Sequence, residues 1–168
     1  MTVYTKKGDK GTTKVFDKKT GELSSVRKDS CHIKTIGAID ELNSYLGVIG
    51  GLTEIQRNLF TINSILAGAD LSLSKDVTKK LEIDIDEMEA KLPVLQNFII
   101  YSGAKKATQL FYARAIARRA ERELTEFSKE YEVPEEVQKY TNRLSDYLFM
   151  LARFVNFKDK IKEVYWKT

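Results

Sequence analysis

Arg114, Arg118, Glu121 and Arg122 are spaced so that on an α-helix, at 100° per residue, they form one polar stripe beside an apolar face. Leu110, Ala113, Ala117, Ala120 and Leu124 gather on the neighbouring core side. Three guanidinium groups along the edge of a core are costly unless a carboxylate or a phosphate satisfies them. The stripe therefore reads either as an anion-binding site or as an internal salt-bridge network around Glu121. Arg119 points elsewhere, sharing the outward side with Glu123 and Glu126 in what reads as a solvated ion-pair row worth only ~0.3–0.5 kcal/mol per pair.

A second set of candidate groups lies far upstream, in Thr5-Lys6-Lys7-Gly8-Asp9-Lys10-Gly11-Thr12-Thr13-Lys14. Glycines let backbone N–H groups converge on an anion, hydroxyls add neutral donors and ammonium groups neutralise charge. These are phosphate-binding parts, although the spacing is not that of a Walker A loop. The same residues read equally well as a basic arm with a turn at Asp9-Lys10-Gly11. Lys28 adds one more ammonium ahead of the first helix.

Such groups need a rigid frame, and hydrophobic periodicity supplies one. Residues 1–34 are rich in Lys, Gly, Thr and Asp and lack helical period, so an irregular arm is expected, with the break near Ile36. From there Ala38, Leu42, Tyr45, Leu46 and Ile49 mark a first helix ended by Gly50-Gly51. A second runs from Thr53, a candidate N-cap, through Leu59 and Leu66. A third starts at Ser74 and stops before Pro93. The arginine helix extends to about Tyr131, and Pro134 opens a fifth that reaches about Lys158. Short connections between five helices predict an all-α, antiparallel five-helix bundle over 35–158, with a tail over 159–168.

The chain of 168 residues suits one domain, 1–168, with a full core. A net charge of +4 and a pI of about 9.0 favour an anionic partner without naming it. Cys31 is the only cysteine, which reads as a buried thiol in a reduced compartment. Without a leader-like opening or an apolar run long enough for a bilayer, the expectation is a cytoplasmic protein with no membrane contact. Nucleic-acid binding would want an exposed basic stripe with aromatic platforms, whereas here acids are interspersed and the stripe borders a core. Di-iron chemistry needs two Glu-x-x-His pairs, and the chain has one histidine, His32, read as lying outside the helices. Opposite the core face of helix one lie Asp40, Ser44 and Gly47; on helix five Asn142, Asp146, Phe149, Arg153 and Asn156 do the same, with Met150 also off the core stripe. Small residues beside a lone carboxylate, and aromatics off the core stripe, predict contact with another subunit.

Taken together, Thr5 to Thr13, Gly37-Ala38-Ile39-Asp40-Glu41-Leu42-Asn43-Ser44, Arg114 to Arg122 and Asn142-Arg143-Leu144-Ser145-Asp146-Tyr147 resemble the PduO-type ATP:cob(I)alamin adenosyltransferases in order and spacing. The resemblance implies transfer of the 5'-deoxyadenosyl group of ATP to the cobalt of a reduced corrinoid, with triphosphate leaving. It implies a five-helix bundle assembled as a homotrimer with sites between subunits, and a reductase or an adenosylcobalamin-dependent enzyme as a further partner. On matching positions, Thr5, Lys6, Lys7, Gly8, Gly11, Thr12, Thr13 and Lys28 would hold the triphosphate with Mg²⁺. Arg118, Arg119, Glu121, Arg122 and Asn142 would contact the nucleotide, Arg118 also acting in catalysis. Asp40 and Arg114 would pair across the subunit boundary. Phe98 would be the apolar wall that displaces the lower axial ligand of cobalt; read without the resemblance, it is a core residue of Phe98-Ile99-Ile100. The chain departs from the family pattern at Tyr101-Ser102, at Phe111 and at His32, and its tail, Val164-Tyr165-Trp166-Lys167-Thr168, reads as loose and basic. Those departures also admit a helical module that binds ATP or a corrinoid without turnover.

Overall fold

The computed structural model describes residues 6, 8–17 and 20–166. Two short strands, β1 (Thr12–Asp17) and β2 (Glu22–Arg27), precede five helices: α1 (Cys31–Ile49), α2 (Thr53–Leu66), α3 (Lys75–Glu89), α4 (Lys105–Phe127) and α5 (Glu135–Lys158). α4 is central, packing on α1 and α5; α2 lies on α1, and α3 on α5.

Side-chain bonds fix the helix directions. Thr35, early in α1, donates to the Glu123 carbonyl, late in α4, at 3.0 Å. Asn63, late in α2, reaches back to the Ile36 carbonyl, and Asn142 at the start of α5 meets Glu121 near the end of α4. α1 with α2, α1 with α4 and α4 with α5 thus run antiparallel, while α3 runs parallel to α5, with Glu82 bridged to Arg143 and Glu89 sharing a cleft with Phe149 and Met150. The bundle has an arm end, where α1 begins and α4 stops, and a loop end, where α4 begins and α5 stops.

The core follows the predicted apolar periods: Ile39, Leu42 and Leu46 of α1, Leu59 and Ile62 of α2, Leu110, Ala113 and Ala117 of α4, and Leu144 and Leu148 of α5 are buried. Ser30 caps α1 through the Ile33 N–H, so the helix starts five residues before Ile36 and includes His32. That ring is buried and bonds the Leu66 carbonyl at 2.7 Å, a structural role for a residue read as lying outside the helices. Cys31, at the first position of α1, is half-buried, and burial pushes its thiol pKa up. Thr53 is not the cap of α2: Leu52 takes that place with no side-chain bond.

The arm is not irregular throughout. Thr12 to Asp17 pairs antiparallel with Arg27 to Glu22, turning at Gly21, φ 72°. The hairpin is seated on the arm end: the Phe16 N–H bonds the Ala67 carbonyl, and a Cβ on Gly68 would lie 2.3 Å from the Phe16 oxygen. As far as Trp166 the tail is not loose either, and Lys167 and Thr168 lie outside the described residues. The Ile100 N–H bonds the Val164 carbonyl and the Trp166 N–H bonds the Phe98 carbonyl, both at 2.8 Å.

Inside the bundle Tyr140 is fully buried, its hydroxyl accepting from Asn58 at 3.2 Å. Burial raises its pKa to about 12. Below pH 10, protonated tyrosine is present in folded and unfolded chains alike. Between pH 10 and 12 only the unfolded chain has released its proton, so stability falls as pH rises, by roughly 2–3 kcal/mol at pH 12. Urea unfolding from pH 8 to 12 should show that slope, and Tyr140→Phe should flatten it.

Candidate functional site

In α4 the stripe residues diverge in their partners. Arg114 is half-buried against α5 and the loop end: its Nη1 donates to the Tyr101 hydroxyl at 3.0 Å. Its guanidinium carbon sits 5.5 Å from the Tyr101 ring centre and 5.3 Å from that of Phe149, cation–π distances. Phe111, buried, stacks on Tyr101 at 4.8 Å. Arg114 also edges a cleft of about 540 Å³ between α3, α4 and α5, shared with Glu82, Asp86, Arg143 and Asp146.

Glu121 does not neutralise the stripe. Its carboxylate accepts from the Asn142 amide at 2.7 Å, so these two predicted nucleotide residues are already joined, α4 to α5. Arg122 is exposed and donates to the Arg118 carbonyl. The Arg118 side chain is exposed, and among the described residues no carboxylate pairs with it. Arg119 pairs with Glu41 of α1, which corrects the expected row with Glu123 and Glu126. Sequence reasoning missed Glu41 because helix faces give no register between elements distant in the chain.

In the arm, Thr5 and Lys7 lie outside the described residues. Lys6 is exposed, with φ 57°. Gly8 and Lys28 are brought together across the base of the hairpin, where a Cβ on Gly8 would lie 3.2 Å from the Lys28 Nζ. Gly11, φ 77°, makes the turn into β1, and its carbonyl accepts from the Lys28 N–H at 2.9 Å. Thr12 and Thr13, half-buried, follow directly. This assembles glycine backbone, hydroxyls and an ammonium within one turn, at the arm end. Among the described residues no hydrogen bond or ion pair joins Gly8–Lys28 to Arg114, Arg118 or Arg122.

Asp40 is exposed on α1 beside Gly37, Ser44 and Gly47. Among the described residues no hydrogen bond or ion pair joins it to Arg114, which faces α5. Phe98 stands at the loop end, 80 % exposed, while Ile99 next to it is buried; the core reading of Phe98 is thereby excluded. Met150 is buried within the chain, and so are Arg153 and Asn156, which removes these three from the outward face assigned to α5.

The chain is thus a helical bundle with an arginine mid-helix that no carboxylate pairs among the described residues, a glycine–lysine–threonine turn at one end and an exposed aromatic at the other. A protein-family model, cobalamin adenosyltransferase, matches residues 3–155, and the chain belongs to that family. The corrinoid adenosyltransferase of Bacillus subtilis is 38 % identical over 182 residues, spanning 98 % of this chain and 91 % of the relative. Among solved structures, a phenylalanine-to-alanine variant of the PduO-type ATP:corrinoid adenosyltransferase from Lactobacillus reuteri, complexed with cobalamin and ATP, superposes with a TM-score of 0.92 at 30 % identity. That match covers 99 % of this chain and 100 % of the other. An arginine-to-lysine variant of the same protein, complexed with ATP, gives a TM-score of 0.89 at 30 % identity over 98 % and 100 % of the two chains.

Proposed function

We propose that this protein transfers the 5'-deoxyadenosyl group of ATP to the cobalt of cob(I)alamin or a related corrinoid. The structural observation that carries the site assignment is Arg118: Glu121 bonds Asn142 and not Arg118, whose guanidinium is exposed with no carboxylate partner among the described residues.

The chemistry asks little of a base. The cobalt electron pair attacks C5', the C5'–O bond breaks, and triphosphate leaves with the negative charge. The protein must align the two substrates and stabilise that growing charge. Arg118 and Arg122 supply fixed positive donors, Asn142 and Glu121 orient the nucleoside, and Lys28 with Gly8, Gly11, Thr12 and Thr13 cradles the phosphates. Thr5, Lys6 and Lys7 would add a hydroxyl and two ammonium groups for the same phosphates. From Arg122 to Arg114 the stripe climbs about 12 Å along the helix, from the arm end toward the loop end. This suits a nucleotide whose triphosphate lies toward the arm and whose C5' points toward Phe98. Among the described residues no cluster of His, Cys, Asp or Glu could hold a metal alone. Mg²⁺ would arrive with the triphosphate, retaining water and meeting the threonine hydroxyls. Phe98 offers the apolar wall against which cob(II)alamin loses its lower ligand before reduction by a partner reductase.

The active form is a homotrimer with sites between subunits. Support comes from Asp40, which stands exposed on a small-residue face beside Gly37, Ser44 and Gly47, while Arg114 faces α5 of its own chain. No helix among the described residues is long and apolar enough to cross a membrane, in keeping with a cytoplasmic enzyme. Asp40→Arg should raise the subunit dissociation constant at least tenfold, since breaking a buried interfacial ion pair costs ~2–5 kcal/mol. Combining it with Arg114→Asp should restore assembly in sedimentation equilibrium. A double variant no better than the single one would reject the pair.

The reaction itself is tested by its leaving group. One triphosphate per alkylcobalamin is expected. Phosphate plus pyrophosphate without cobalt alkylation would reject the proposed bond cleavage.

A further inference from the structure

Phe98 is almost wholly exposed, yet the backbone that presents it is held at three points, and two of them trace to one turn of α5. Asn156, buried, accepts from the Ala104 N–H at 2.9 Å and donates to the Ser102 carbonyl at 2.9 Å. A Cβ on Gly103, φ 121°, would lie 2.1 Å from its Oδ1. Arg153, three residues earlier, donates to the Pro93 carbonyl at 2.9 Å. The two side chains thus grip both ends of the segment 93–104 that carries Phe98.

The third point is the tail. The Arg153 guanidinium also binds the Glu163 carboxylate through Nε at 2.6 Å and Nη2 at 3.2 Å, a bidentate pair. Its side chains are only 4 % and 12 % exposed. From Glu163 the chain runs directly into the antiparallel bonds that Val164 and Trp166 make with Ile100 and Phe98. Such a pair contributes fixed geometry more than stability, because burial of both ions offsets most of their attraction.

We infer that Arg153 and Glu163 form a positioning clamp: by holding Pro93 and the C-terminal segment to α5, they set where Phe98 stands against the corrinoid. The clamp rests on the reading of Phe98 as the corrin-side wall. It acts through Phe98 and touches neither ATP nor cobalt. Removing one carboxylate charge leaves Arg153 buried and partly unpaired, which loosens the tail and lets the aromatic drift. A displacement of about 1 Å at a reacting geometry costs of order 10- to 100-fold in rate.

The experiment compares Glu163→Gln, Phe98→Ala and the parent in two assays of the whole enzyme, one starting from cob(II)alamin with a reductant and one from preformed cob(I)alamin. Because Glu163→Gln disturbs a buried pair, Trp166→Pro is run beside it. That variant removes the N–H bonded to the Phe98 carbonyl together with an exposed indole, and leaves Arg153 and Glu163 in place. Both tail variants should lose about tenfold or more in the cob(II)alamin assay while keeping the parent rate with cob(I)alamin and the parent KM for ATP. They should also weaken the cob(II)alamin spectral change that accompanies loss of the lower ligand. Parent behaviour in both tail variants, with Phe98→Ala impaired, overturns the clamp alone. Parent behaviour in Phe98→Ala overturns the reading of Phe98 and the clamp with it. Equal loss in both assays for the tail variants makes the clamp merely structural and also overturns it.

Discussion

Arg118→Ala is expected to lower kcat/KM for ATP by about 10- to 150-fold while leaving the melting temperature essentially unchanged. The magnitude follows from losing a charge-assisted phosphate contact worth ~1.5–3 kcal/mol, at about 1.4 kcal/mol per decade of rate. Indifference of the fold follows from the structure: the side chain is exposed, and among the described residues it neutralises no carboxylate. The loss should fall mainly on kcat, since the leaving triphosphate gains charge in the transition state. Arg118→Lys should recover only part of it, because an ammonium keeps the charge but not the planar donor fork. If helicity and activity fell together, the residue would be a brace of the bundle and the nucleotide role would be wrong.

The second large effect concerns the other end of the bundle. Phe98→Ala should depress adenosylation from cob(II)alamin plus reductant by about 10- to 100-fold, the range set by losing ~1.5–3 kcal/mol of aromatic burial against the corrin. Adenosylation of preformed cob(I)alamin should fall much less, because that substrate has already shed its lower ligand. Exposure of 80 % means the free protein loses little packing, so unfolding by urea should be unaltered. Equal losses by both routes would place Phe98 in general corrinoid binding instead.

The helices were legible because each buries a stripe of Leu, Ile and Ala at helical spacing, and because Ser74, Pro134 and Gly50 mark their ends. The hairpin was hidden by its thinness: Val15 is buried while its neighbour Phe16 is exposed, too little alternation to stand out in a Lys/Gly/Thr segment. His32 was misplaced because the capping Ser30 lies amid other polar residues. Arg153 and Asn156 read as part of an outward face for another subunit because what covers them, residues 93–104 and the tail, comes from distant parts of the chain and has no period of its own. The same limit concealed the Arg119–Glu41 bridge. At the site, residue types pointed to phosphate chemistry, but only the structure shows Glu121 bound to Asn142 and Arg118 left open.

Arg114 illustrates how local and assembly roles converge. Tyr101 and Phe111, where the chain departs from the family pattern, build an aromatic shelf that aims its guanidinium. Phe149 lies within cation–π range of both Arg114 and Arg153, at 5.3 and 6.0 Å. Phe149 is thus a ring common to the proposed subunit contact and the proposed clamp on Phe98.

Adenosyl transfer is tested most directly by mixing purified protein with ATP, Mg²⁺ and chemically reduced cobalamin and following visible absorption, then exposing the product to light. The spectrum should shift to that of a photolabile alkylcobalamin at a rate proportional to enzyme, with the Arg118→Ala protein slower by the factor given above. Tight binding of ATP and corrinoid with no alkylcobalamin above the enzyme-free control would contradict it and leave a binding module in place of an enzyme.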